Sequence, residues 1–241
     1  MSDPTRRTTE PGCSMCACPA IPEGVRAVVF DFDGTLGDTA LSHERALRAA
    51  LQDYGFDLDP GWYRQHIGLS IHDLLGQLPG AGQLPHDEIV QRSRTRLLAS
   101  MDTITAIGCV VSLLHTARDA GLPCAVASGA STSLVQPGIA ALGLSEQFAA
   151  IVTREDAAHG KPAPDLYAEA ARRLQLPPDR CLAVDDAPEG LASARAAGMA
   201  HLRTLVHDHL AAVHDDEHTH GRLEAATGPP APGSSRPRGA G

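Results

Sequence analysis

Lysine is almost missing from this chain of 241 residues. Among 20 basic side chains, Lys161 is the only lysine and the rest are arginine. Basic charge as a whole is short: the formal net charge is −9. That excludes the basic surface a nucleic-acid partner needs. No apolar run approaches the roughly 18 residues of a membrane span, so no membrane partner is expected. The first twenty residues contain no apolar stretch of the kind that opens a secreted chain. A cytoplasmic location is therefore expected, where thiols stay reduced.

Ligand patterns are lacking at both ends. Cys13, Cys16 and Cys18 form a C-x-x-C-x-C run with no fourth ligand nearby, whereas a structural zinc site takes four. Residues 1–24 are expected to be a disordered leader with free thiols. His207, His209, His214, His218 and His220 have no regular metal-ligand spacing, and residues 228–241 are nearly all Gly, Pro, Ala, Ser and Arg. Residues 216–241 are expected to be a disordered tail. Cys109, Cys124 and Cys181 lie in apolar segments and read as small core residues.

What is present begins at residues 28–36, Val-Val-Phe-Asp-Phe-Asp-Gly-Thr-Leu. The apolar start reads as a short buried strand. Gly34 can bend the chain where that strand stops. Asp31 and Asp33 then sit at its carboxyl end, where open α/β sheets place their ligands. Two acids there suit a hard cation, and one can attack phosphorus. Alone, Asp33-Gly34 reads equally well as a turn capped by Asp31.

Further along, helical spacing dominates residues 38–100. Leu41, Ala46, Leu47, Ala50 and Leu51 recur at helical intervals behind a possible N-cap, Thr39. Two more helices are expected over 71–78 and 86–100. This all-helical block interrupts a strand–helix alternation and reads as an inserted cap domain. The alternation resumes with helices over 107–119, 134–142, 163–174 and 189–197. Strands are expected over 123–127, 149–153, 181–184 and, as a sheet edge, 201–205. Pro137 fits only the first turn of its helix. The fold class is thus α/β: a Rossmann-like parallel sheet with helices on both faces and the cap inserted. The core comprises residues 25–37 and 101–215.

Polar residues follow four of these strands. Asp31 and Asp33 follow the first, Ser128 the second, Lys161 comes in the loop after the third, and Asp185-Asp186 follow the fourth. Right-handed crossovers bring all these ends to one rim. Clustered carboxylates repel unless a cation neutralises them, and oxygen-only ligation favours Mg2+. A phosphate can complete the shell by bridging metal, Ser128 and Lys161, whose ammonium suits phosphate oxygens.

The segments 31–35 (Asp-Phe-Asp-Gly-Thr), 126–129 (Val-Ala-Ser-Gly), 160–165 (Gly-Lys-Pro-Ala-Pro-Asp) and 184–186 (Val-Asp-Asp) resemble the four motifs of the haloacid dehalogenase superfamily, in order and spacing. The resemblance implies that Asp31 is the nucleophile of an aspartyl-phosphate pathway and Asp33 the acid, then base. It implies that Ser128, Gly129 and Lys161 bind the phosphoryl group. It further implies that Asp31, the carbonyl of Asp33, Asp185 and Asp186 hold Mg2+. Relatives often carry Glu-Asp where this chain has Asp185-Asp186, and a bulkier apolar residue at Gly37.

Asp33 separates the phosphate branch of that family from its dehalogenases, which lack this acid. The cap has no lysine for the Schiff base of phosphonate cleavage. His43 and the 68–70 loop resemble a beta-phosphoglucomutase, but Ile67 and Ile71 stand where the mutase loop carries its cations. The expected function is therefore a phosphatase acting on a small phosphorylated metabolite. Mutase-like transfer and an inactive binding domain on the same fold are the alternatives. His43, Arg64, His66 and Ser70 are the candidate specificity residues of the cap.

Overall fold

The computed structural model describes residues 20–66, 69, 71–205 and 222–223. The cysteine-rich part of the leader and the five clustered histidines lie outside these residues, as does Ser70.

In chain order, β1 (Ala27–Phe30) leads to a short strand β2 (Gly37–Asp38) and four helices. These are α1 (Ala40–Gln52), α2 (Pro60–Gln65), α3 (Ile71–Gln77) and α4 (His86–Ala99), and β3 (Thr105–Ala106) closes the block. Then come α5 (Gly108–Asp119), β4 (Cys124–Ala127), α6 (Thr132–Ala141), β5 (Ala150–Val152) and α7 (Asp165–Arg173). The last elements are β6 (Cys181–Asp185), α8 (Pro188–Ala196), β7 (Ala200–Leu205) and β8 (Arg222–Leu223).

Every residue of β1 is buried, because helices cover both faces of the sheet and leave no wet side to alternate with. Val28 and Phe30 join one layer, with Leu113 of α5 and Ile139 of α6. Ala27 and Val29 join the other, with Leu166 and Tyr167 of α7 and Ala194 of α8. The strand order is β5-β4-β1-β6-β7-β8, and the first five run parallel. The chain winds outward from β1 through β4 to β5, then returns to β6 and β7. The reversal falls between β1 and β6, where such sheets open a crevice at their carboxyl ends.

Several local expectations are corrected. Strand β7 is not the edge, since Leu205 pairs with Arg222 and Thr204 with Leu223 in an antiparallel ladder. Those two residues fall within the stretch expected as a disordered tail; an edge strand's free amides and carbonyls can recruit such a segment. Helix α6 starts at Thr132 and runs through Pro137 beyond its first turn. The ring removes one intrahelical bond, but packing of Val135 and Ile139 into the core holds the helix. Helix α7 starts at Asp165, with Pro164 at the N-cap position. Thr39 does precede α1, yet its side chain caps nothing there.

Helices α1–α4 lie between β2 and β3 and have an apolar core of their own, including Leu47, Leu51, Leu58, Tyr63, Leu75 and Ile89. The two segments that lead into and out of these helices pair with each other, Gly37 opposite Ala106 and Asp38 opposite Thr105. The Gly37 amide donates to the Phe32 carbonyl at 3.1 Å, and a methyl at Gly37 would come 3.2 Å from Ile104. Gly37 is therefore closely packed, with little room for a side chain. A second apolar cluster, Ala46, Leu97, Met101 and Ile104, packs on Leu134 and Leu142 and joins the cap to α6.

Helix α6 also presses on the first motif. A side chain at Gly138 would overlap the Phe32 ring, which sits between Asp31 and Asp33. Gly138→Ala is expected to destabilise the protein by about 1–3 kcal/mol, the usual cost of overpacking. Chemical denaturation compared with wild type checks this; an unchanged midpoint would count against the packing described.

Candidate active site

The first motif turns because Gly34 takes a left-handed backbone, φ 75°, which suits glycine. Its amide donates to the Gly37 carbonyl at 2.9 Å. Asp31 is thereby held just past β1, with its amide donating to Val184 of β6 at 2.9 Å. Its side chain points into the crevice and is 8% exposed.

Lys161 joins the two sides of that crevice. Its Nζ donates to Asp31 Oδ1 at 2.6 Å and to Asp185 Oδ2 at 2.7 Å. Its side chain is only 12% exposed. The loop that carries it is braced from outside: Thr153 and Asp156 form a reciprocal cap, and Arg173 donates to Asp156 and to the Ile151 carbonyl. Asp185 is the most constrained acid. It also accepts from the Tyr167 hydroxyl at 2.6 Å and from the Ala187 amide at 2.9 Å. Any side chain at Gly190 would overlap its carboxylate, so that glycine makes the niche. Asp186 accepts from the Thr35 hydroxyl at 3.1 Å.

Ligand oxygens of Asp31, Asp185 and Asp186 lie within 4.8 Å of one another. Burial pushes the Asp31 carboxyl well up. Lys161 opposes this, while Asp185, Asp186 and Asp33 reinforce it. Burial works against the charge on Lys161, but Asp185 and Asp31 outweigh it and hold the ammonium protonated. One ammonium thus faces several acids. A hard divalent cation fits this all-oxygen donor set and would relieve the remaining repulsion.

Asp33 stands apart from that cluster and faces the cap. Its Oδ1 lies 3.0 Å from His43 Nε2 on α1. The Thr39 side chain also helps to hold the Asp33 charge. Burial raises the Asp33 carboxyl, but the bond and charge of His43, with Thr39, hold it below the usual range. Burial likewise opposes the charge of His43, and Asp33 raises it.

Ser128 follows β4, next to β1, and is buried; its Oγ accepts from the Ala130 amide at 3.0 Å. Nothing would crowd a side chain at Gly129, so the space before this loop is open. In the cap, His66 stacks on Trp62 with ring centroids 3.9 Å apart and engages the Trp62 carbonyl through Nδ1. Arg64 is exposed on α2. Tyr167, Thr35, Thr39 and Gly190 escaped sequence reasoning. Tyr167 lies on a buried helix face, where its apolar body explains it without its hydroxyl.

A haloacid dehalogenase-like hydrolase family model matches residues 25–198. The chain belongs to that family. Among curated haloacid dehalogenase-like relatives, the fructose-1-phosphate phosphatase YqaB of Escherichia coli is 33% identical, covering 73% of this chain and 95% of the relative. Hexitol phosphatase A of the same organism is 32% identical over 72% of this chain and 80% of its own length. The crystal structure of CbbY from Rhodobacter sphaeroides with phosphate superposes with a TM-score of 0.66 at 29% identity, covering 73% and 84% of the two chains. No helix among the described residues of this hydrolase is long and apolar enough to cross a membrane.

Removing His43 leaves burial as the larger influence on Asp33. In metal-free His43→Leu, the Asp33 carboxyl is expected to titrate at higher pH than in wild type, read by carbon NMR of labelled aspartate. An unshifted titration would show that the His43 contact does not set its charge.

Proposed function

We propose that this hydrolase is a magnesium-dependent phosphatase that cleaves a small phosphorylated metabolite through an aspartyl-phosphate on Asp31. The observation that carries the reading is the Lys161 ammonium bound to both Asp31 and Asp185, with Asp186 in the same cluster. Relatives named as phosphatases of fructose 1-phosphate and of hexitols support the same reading.

The roles follow from position. Lys161 holds one Asp31 oxygen and orients the carboxylate as nucleophile. As the Asp31 oxygen bonds to phosphorus, the ester P–O bond breaks and the alcohol oxygen takes a proton through Asp33 from the protonated His43 bonded to it. Asp33 then removes a proton from water, whose oxygen attacks phosphorus, freeing Asp31 and inorganic phosphate. His43 and Thr39 aim Asp33 toward the cap side, where the leaving alcohol lies. Ser128, the Gly129 amide and Lys161 bind the phosphoryl oxygens. Asp31, Asp185, Asp186 and the Asp33 carbonyl would hold Mg2+, which supplies charge neutralisation when bound. His43, Arg64, His66 and Ser70 are cap candidates for contact with the alcohol. A cytoplasmic setting belongs to this reading, supported by the buried free thiols of Cys124 and Cys181.

With p-nitrophenyl phosphate and Mg2+, wild type is expected to turn over. Asp31→Asn is expected to lose about 1000-fold or more, as when a nucleophile is removed, with its circular dichroism unchanged. Chelation by EDTA should abolish activity and Mg2+ restore it. Turnover by Asp31→Asn at the wild-type rate would sink the proposal.

A further inference from the structure

Tyr167 touches both members of the ion pair that closes the crevice. On α7 it is fully buried, with its ring in the apolar layer of Leu166 and Ala170. Its hydroxyl donates to Asp185 Oδ2 at 2.6 Å, and Lys161 donates to the same oxygen at 2.7 Å. Lys161 Nζ also lies over the Tyr167 ring, 5.1 Å from its centroid, within reach of the ring's negative face. Both residues belong to one braced segment. The Ser193 hydroxyl donates to the Ala163 carbonyl between them, and Asp165 accepts from the His159 amide at 3.1 Å. Packing the ring does not require its oxygen. The oxygen acts on Asp185 instead. A carboxylate offers about four lone-pair positions; Oδ2 of Asp185 uses two, and Oδ1 accepts from the Ala187 amide at 2.9 Å.

We propose that Tyr167 is a positioning residue: its hydroxyl holds the Asp185 carboxylate in the orientation that binds the divalent cation, so that Lys161 can be shared with the phosphoryl group. This rests on the phosphatase reading above and goes beyond it, to a side chain outside the acids, Ser128 and Lys161. The need arises from competition for Lys161. Its ammonium already serves Asp31 and Asp185. A phosphoryl group brings anionic oxygens that draw the ammonium toward them. Asp185 then retains a donor on Oδ2 that phosphate does not draw away, because the Tyr167 ring is locked in the core. Hydrogen bonds to a ligating carboxylate orient it, and losing one weakens metal binding.

Calorimetric titration of Mg2+ into the metal-free full-length protein and its Tyr167→Phe variant tests this. The variant keeps the ring and loses only the oxygen. Its Kd for Mg2+, with no substrate present, is expected to rise about tenfold. With p-nitrophenyl phosphate, the Mg2+ concentration for half-maximal rate should rise alongside, and kcat at saturating Mg2+ should change less. A role in packing alone would instead lower the metal-free Tm and leave the Kd as it was. A second measurement needs no variant. In wild type with labelled tyrosine, proton NMR should show the Tyr167 hydroxyl signal retained and shifted when Mg2+ is added. A variant Kd within about twofold of wild type, or a hydroxyl signal that Mg2+ does not move, would overturn the assignment while leaving the phosphatase reading intact. Failure of wild type both to bind Mg2+ and to hydrolyse p-nitrophenyl phosphate would overturn both.

Discussion

A buried ammonium between two carboxylates is the constraint on which this molecule turns. Lys161 spans Asp31 and Asp185, which follow or end adjacent strands at the sheet's reversal point. Without a cation there, acids that burial already disfavours would repel one another. The surrounding structure serves that arrangement. A reciprocal cap and Arg173 brace the loop of Lys161. Tyr167 and the Ala187 amide hold Asp185, and Gly190 leaves it room. Asp185 suits this close niche, in which its short side chain already reaches the lysine.

The acids divide into two environments. Asp31, Asp185 and Asp186 form a core cluster suited to a metal and a phosphoryl group. Asp33 faces the cap, and its partners His43 and Thr39 come from the start of α1 and the residue just before it. Asp33 is thereby tied to helix α1, and the other three acids to the sheet. Because β2 and β3 pair where the chain crosses between them, and Leu97, Met101 and Ile104 pack on α6, the two parts meet through specific apolar and backbone contacts.

Much of this was legible in the residues. Apolar runs of four or five marked the central strands, and the acids at their ends marked the rim. The lone lysine stood out because composition made it rare. The rest was hidden for physical reasons. Thr39 precedes a helix, so capping was its local explanation, and only tertiary structure shows that its side chain makes no cap and that its influence falls on Asp33. Tyr167 reads as a core aromatic because sequence pattern registers its ring and not its oxygen. Strands β2 and β3 are two residues each, too short for a period. Gly138 and Gly190 matter through what lies across from them, the Phe32 ring and the Asp185 carboxylate, and a one-dimensional pattern does not record neighbours. Pro137 misled for the opposite reason: a local penalty was overridden by burial of Val135 and Ile139.

The bonds that complete the crevice join residues far apart along the chain, 130 positions for Lys161 with Asp31 and 151 for Thr35 with Asp186. On a ribosome Asp31 emerges well before Lys161, its counter-ion, and before the last acids of the cluster. A nascent chain that stops short of Lys161 therefore carries Asp31 without the ammonium and the partner acids that complete the crevice.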